Sequence, residues 1–235
     1  MRSCLVQLLI LVALVFGLVW FGLPIGAAWV ATNALKAAGF SGTDTAVTVT
    51  ADPPFLLLTG HANEVHLTSG DVSVADLHAA SMDITLGRVD LIGRTVGMVD
   101  GTLTGVSIAV PNGDPVTADQ VTLTGAASTT RATLRLSLAE AQKLAVTQLA
   151  AHGISGKVTL AAPNRVTISA AGKVVPAHLE AADGILLLAP DAPGVPIVPL
   201  ITPGPGNPFR VTGVSIASDG VTLAGTVDLQ SMLGI

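Results

Sequence analysis

The stretch from Leu5 to Leu23 constrains everything that follows it. It carries no charged side chain, and Gln7 is its only clearly polar one. As a helix rising ~1.5 Å per residue it covers close to the roughly 30 Å of a bilayer's hydrocarbon core. Arg2 precedes it, and the next charge along the chain is Lys36. Positive charge on the leading flank predicts a cytoplasmic N-terminus with the bulk of the chain outside. The length favours a retained anchor over a secretory segment, whose apolar part is about 7–15 residues. Pro24, followed by Gly26, Ala27 and Ala28, also offers a signal peptidase small residues to cut at. The predicted organisation is a signal anchor or signal peptide over 1–26 and one extracytoplasmic domain over 27–235.

That domain is apolar in an unusual way. Half of the chain's residues are hydrophobic and 11% are charged, too apolar for disorder. Yet there is no Tyr, both Trp (Trp20 and Trp29) lie near the N-terminus, and beyond Phe40 only Phe55 and Phe209 remain. The interior must therefore be filled by aliphatic side chains. A bias towards Ala, Val, Gly and Thr explains this; so does an interior or groove that accommodates acyl chains. The formal net charge of -5 and the lack of a basic stripe argue against nucleic acid as a partner. Cys4 is the only cysteine, so no internal disulfide supports the fold. It precedes the apolar run, unlike the lipidated cysteine of a lipoprotein signal.

Periodicity predicts a helix over Gly26–Gly39, with Ala31, Ala34, Leu35 and Ala38 on one face and Gly39 as its stop. Trp29 suits either a membrane interface or packing on the domain. From Ala46 the period changes to two. Val47–Thr50, Val65–Thr68, Val72–Val74, Ile84–Leu86, Thr102–Thr104, Val106–Val110, Val121–Thr124 and Leu134–Leu136 alternate aliphatic with polar residues. Ser69-Gly70-Asp71, Asp100-Gly101 and Asn112-Gly113 mark turns between them. This is the mark of an antiparallel sheet with one buried face. Ser137–His152 reads as a helix, with a Ser137/Glu140 capping box, an apolar stripe through Leu144 and Leu149, and Gly153 at its end. A second β block covers 157–188. Ala189–Pro208 is Pro-rich but holds Val195, Ile197, Val198, Leu200 and Ile201 at its centre; an ordered loop fits this better than a flexible linker. Strands resume from Phe209.

The predicted fold class is α+β and β-rich: a curved antiparallel sheet wrapped on one long helix. Catalytic signatures are missing from the sequence. No Gly-x-Ser-x-Gly elbow, phosphate-binding glycine loop or His-Glu-x-x-His is present. His61, Glu64 and His66 lie close in sequence, but 61 and 66 fall on opposite faces of a strand, and solvated histidines are the better reading. Arg88, Arg94, Arg131 and Arg135 form the one local concentration of positive charge, more simply a solvated sheet face than a phosphate site. No enzyme, cofactor or metal is implied.

The order of parts resembles the LmeA-like phospholipid-binding family of actinobacterial cell envelopes. The resemblance rests on a short helix before a Val-x-Val strand, Asp52-Pro53-Pro54-Phe55-Leu56, an apolar run to Gly60, and Glu64-Val65-His66-Leu67-Thr68. It continues with a capped helix after the first meander, a Pro-rich apolar stretch, Phe209–Ile216 and Asp219-Gly220-Val221. Leu56, Leu57 and Leu58 depart from the family's more polar run here. The resemblance implies a tubular-lipid-binding-like fold outside the cytoplasmic membrane, phospholipid as ligand, and a link to lipoglycan (lipomannan) maturation.

The expected function is therefore extracytoplasmic lipid binding, with phospholipid and membrane as partners and no protein partner identified. The expected contacts are Phe55, Leu56, Leu57 and Leu58; Leu144 and Leu149 on the helix; Val195, Ile197, Val198, Leu200 and Ile201 in the Pro-rich stretch; and Phe209. The lipid is expected between the sheet and the Ser137–His152 helix, with Phe55–Leu58 and Val195–Ile201 at a membrane-facing entrance. The competing readings are an envelope module that docks on another protein and, third, a glycolipid-modifying enzyme.

Overall fold

The computed structural model describes residues 23–37, 39–74, 77–93, 95–108, 115–170, 172–203 and 209–227. Residues 5–22, Arg94 and the predicted Asn112-Gly113 turn lie outside them. Among the described residues no helix is long and apolar enough to cross a membrane. The chain is β-rich, but its strands divide between two antiparallel sheets instead of forming one.

Helix α1 (Leu23–Ala37) comes first, ended by Gly39 at φ 85°. It starts before the predicted helix, so the expected 26/27 boundary falls inside it. Then follow β1 (Ser41–Thr50), a 3-10 helix (Pro54–Thr59), β2 (His61–Val74), β3 (Leu77–Asp90), β4 (Thr95–Ile108), β5 (Val116–Ala126) and β6 (Thr130–Leu136). Helix α2 (Leu138–Ala151) precedes β7 (Lys157–Ala161), β8 (Arg165–Ala170), β9 (Lys173–Ala182) and β10 (Ile185–Pro190). The chain then forms β11 (Val198–Ile201), β12 (Arg210–Ala217) and β13 (Gly220–Val227). The larger sheet runs β1-β2-β3-β4-β5-β6-β13-β12, and the smaller β11-β10-β9-β8-β7. Backbone hydrogen bonds from Val211 to Gly184 (2.9 Å) and from Ile216 to Pro163 (2.6 Å) tie β12 to turns of the smaller sheet.

Strand register lines up aliphatic side chains across the larger sheet. One row is Val47–Leu67–Ile84–Gly101–Leu123–Ala132. The next is Ser69–Met82–Leu103–Val121–Leu134–Leu223–Val214. Their residues belong almost entirely to one core, which also takes in Val158, Val166, Ile168, Leu186 and Leu188 of the smaller sheet and the inner face of α2.

The central strands do not keep a simple two-residue period. Buried positions step by three from Ser69 to Val72 in β2, Ala79 to Met82 in β3 and Leu103 to Val106 in β4. A similar step joins Ala62 to Val65 in β2. Asp71 and Gly105 have φ of 44° and 58° within two of these steps, and Arg88, at 53°, lies between Leu86 and Val89 of β3, the partners of Val65 and Ala62. An extra residue at such a point restores the apolar side chains to the inner face while bending the strand. The register stays constant across β2, β3, β4 and β5, so the irregularities align as creases across the sheet. Ser69-Gly70-Asp71 and Asp100-Gly101, which read as turns, therefore lie inside long strands. Gly and Asp mark a bulge or a close approach there, not a reversal.

Helix α2 keeps Ala141, Leu144, Ala145, Gln148 and Leu149 inward, the spacing of one helical face, and contacts β5 and β13 of one sheet and β7 and β11 of the other. Ser137 Oγ accepts from Glu140 N at 3.2 Å. Glu140 does not complete the capping box towards Ser137: its carboxylate accepts from Thr117 N at 3.0 Å and ties the helix to β5. The Pro-rich stretch is not all loop, since Val198–Ile201 pairs with β10. As an outermost strand it accommodates Pro199, which cannot donate to a ladder.

A Cβ at Gly101 would lie 2.7 Å from Asp83 O and 2.8 Å from Ile84 Cγ1, whereas one at Gly213 would meet only Ala224 Cβ, at 3.8 Å. Gly101→Ala is expected to destabilise the domain by about 1–3 kcal/mol, and Gly213→Ala to leave it nearly unchanged. Urea unfolding of the two variants measures the contrast.

Candidate functional site

The predicted contact residues separate into two environments. Leu144 and Leu149 are 4% and 1% exposed, and Val198 and Leu200 are equally deep; all four belong to the core shared by the sheets. Phe209 and Ile201 pack partly buried against it. Ile197 is exposed beside them and Val195 is half-buried. Phe55 and Leu58 are 55% and 67% exposed, and Leu56 and Leu57 are half-buried. The two segments expected to share an entrance pack on different elements. The 3-10 helix contacts α1 and β2; β11 contacts β10 and α2.

Around Phe55 and Leu58 the chain builds an apolar end. Pro54 starts the 3-10 helix and Gly60, at φ 79°, stops it. This turns Leu57 inward onto a small cluster of Val49, Ala62, Val65 and Val89, which Ala27 and Ala28 of α1 close from the other side. Phe55 and Leu58 are left pointing out. Leu91 N donates to Gly60 O at 2.7 Å, which holds the β3–β4 turn against the end of the 3-10 helix. Gly60 has no room for a side chain because Ile92 sits where its Cβ would be. Ile92 is 74% exposed, with Leu91 beside it. Helix α1 adds Trp29, 69% exposed, with Ile25 and Val30. Fully burying one Leu, Ile or Phe is worth about 1.5–3 kcal/mol over leaving it in water, so an exposed group of this size marks a contact surface.

Sequence reasoning found Phe55–Leu58 and noted Trp29, but it missed Leu91 and Ile92. Their signal was available: two large aliphatics between Asp90 and Gly93, at a hairpin turn where polar residues are the rule. Leu56 and Leu57 lean on the domain, and the half-buried Val47, Ile84, Leu86 and Val96 continue the apolar surface along the inner face of the sheet.

Polar groups around this end are occupied locally. Asp90 Oδ1 accepts from Gly93 N at 2.7 Å and Ile92 N at 3.0 Å. The Gly93 amide is the main reason the Asp90 carboxyl lies below its ordinary value; burial opposes the shift, and the Ile92 amide and His61 add to it. His61 contacts Thr59 Oγ1 at 3.1 Å and Asp90 at 3.8 Å. His66 pairs with Asp83 at 2.8 Å. The sequence-adjacent His61, Glu64 and His66 thus do not converge. Among the described residues no three His, Cys, Asp or Glu side chains gather as metal ligands. Of the four arginines, Arg135 pairs with Asp219. A cavity of about 300 Å³ lies near the opposite end of α1, lined by Thr32, Lys36, Phe40, Ser41, Gly42 and Thr45.

Compared with protein-family models, curated proteins and solved structures, the chain matches none.

Asp90 gives this end a pH dependence. Because its folded pKa is depressed, its contribution to the turn is complete above the unfolded carboxylate value of about 3.9 and is lost as pH falls through the lower folded value. A carboxyl-detected NMR titration is expected to place Asp90 below a typical exposed aspartate. Asp90→Asn is expected to speed amide exchange at Ile92 and Gly93. An ordinary titration with unchanged exchange would contradict this.

Proposed function

We propose that the protein is an extracytoplasmic lipid-binding protein of the cell envelope, held at the membrane by Leu5–Leu23. The supporting observation is the exposed pair Phe55 and Leu58, from which half-buried aliphatics continue onto the inner face of the larger sheet. An acyl chain gains about 0.8 kcal/mol per buried CH₂, so a surface of Val, Ile and Leu binds it without an elaborate polar site. In this reading the chain of a phospholipid enters beside the 3-10 helix and lies along Leu57, Leu86 and Ile84. The sites expected at Leu144, Leu149, Val198 and Leu200 are already buried in the core on that face and then serve only as its support.

The likeness to the LmeA-like family supports the same reading, and a tubular-lipid-binding-like fold is what that likeness implies. A role in lipoglycan maturation or lipid transfer belongs to the proposal on that likeness. The anchor reading is supported by Ala27 and Ala28, which pack on the sheet as part of α1.

The test is lipid retention. Full-length protein purified from membranes and exchanged extensively into lipid-free detergent is expected to keep phospholipid detectable by native mass spectrometry. Ile84→Asp and Leu86→Asp are expected to release it. Protein that retains no lipid and takes up no fluorescent phospholipid would overturn the proposal.

A further inference from the structure

Three segments far apart in sequence deliver exposed, large apolar side chains to one end of the larger sheet: α1, the 3-10 helix and the β3–β4 turn. Those exposed side chains are not what closes the core there. Ala27, Ala28 and Leu57 already cover Val49, Ala62, Val65 and Val89. Trp29, Phe55, Leu58 and Ile92 lie outside that contact, each more than half exposed. Elsewhere on the described surface, exposed large aliphatics such as Val174 on β9 and Ile197 before β11 lie in other parts of the chain.

The chain itself says what meets this end. Ile25 is two residues after Leu23, so it lies within about 7 Å of the close of the apolar stretch even if the backbone is fully extended. From Ser3 to Leu35 there is no Asp, Glu, Lys or Arg. A segment of bilayer-spanning length therefore delivers the chain directly to an uncharged apolar face. A tether that short keeps the face near whatever surrounds Leu5–Leu23. Trp29 suits the level of lipid headgroups, where an amphipathic ring is favoured. Asp90, the nearest carboxylate on the turn, already has its charge met by the Ile92 and Gly93 amides.

We propose that this end is a bilayer-docking face: Ile25, Trp29, Phe55, Leu58 and Ile92 insert at the headgroup–acyl boundary of the membrane that carries Leu5–Leu23. This rests on the reading of the chain as a membrane-tethered lipid binder and adds the orientation of the domain. The apolar end points down, the 3-10 helix is at lipid level, and β2, β3 and β4 lead away from the surface. Lipid leaving the membrane would then meet Leu56 and Leu57 first.

The test uses the full chain with Cys4→Ser, which removes the only native cysteine. Single cysteines are placed at Leu58, Ile92 and, as a control, Val174 on β9, and labelled with an environment-sensitive nitrobenzoxadiazole dye. The labelled proteins are reconstituted into phosphatidylcholine–phosphatidylglycerol vesicles with or without doxyl-labelled lipid. Dyes at 58 and 92 are expected to shift to the blue and to be quenched several-fold by the doxyl lipid, while the dye at 174 is not. Water-like dyes at 58 and 92 would overturn the docking face. Blue-shifted dyes that doxyl lipid does not quench would also overturn it, since a second copy or the chain's own N-terminal stretch would then cover the face. Lipid retention in detergent is read separately, so a domain that keeps its lipid while both dyes stay in water refutes the docking face and leaves lipid binding standing.

Discussion

Cross-strand register is the constraint on which the structure depends. With no Tyr and few Phe, no single large side chain can anchor the interior. Stability has to come from many aliphatic contacts, each small. Rows such as Ser69–Met82–Leu103–Val121–Leu134–Leu223 supply them only while neighbouring strands stay in step. A slip of one residue would turn a whole row to solvent. The aligned creases at Asp71, Arg88 and Gly105 show how long strands remain in step and still bend. Because the irregular positions align in β2, β3, β4 and β5, register is kept across those four strands, and it shifts only where β1 pairs with β2 and β6 with β5 beside them.

This construction leaves a surplus at one end. Where β1 and β3 finish and β2 begins, the elements that cover the sheet are neither α2 nor the smaller sheet. Two short pieces, α1 and the 3-10 helix, do so with small or single side chains: Ala27, Ala28 and Leu57. Among the described residues, the remaining large apolar groups of those pieces, Trp29, Phe55 and Leu58, stay more than half exposed. The same segments that close the fold thus carry an exposed apolar surface. That surface includes Ile25, two residues along the sequence from the end of the Leu5–Leu23 stretch, where the proposed membrane contact lies.

Much of the architecture was legible in the sequence. Period-two alternation identified the strands, and Gly39 and Gly153 marked real helix ends, with φ of 85° and 78°. The Ser137 cap and the Leu144/Leu149 stripe placed α2. Ser69-Gly70-Asp71 misled because the same residues serve turns and bulges, and only the partner strand distinguishes the two. Glu140 misled because Thr117 N, distant in sequence, competed for its carboxylate. At the apolar end, Phe55–Leu58 stood out as a block after Pro-Pro. Leu91 and Ile92 did not, because a two-residue signal gains meaning only beside Gly60. Whether an aliphatic side chain faces lipid or core is likewise set by partners: Leu200 and Ile197 are three residues apart, one buried and one exposed.

In the proposed orientation the apolar end of the larger sheet faces the membrane and the long strands stand away from it. Neutron reflectometry of the full chain in a supported bilayer measures this directly. β2 spans 14 residues; at ~3.3 Å each, shortened by coiling and tilt, an upright domain is predicted to extend roughly 40 Å beyond the headgroups, with no water gap between them. A protein layer about half that thick, or one separated from the headgroups by water, would contradict the account.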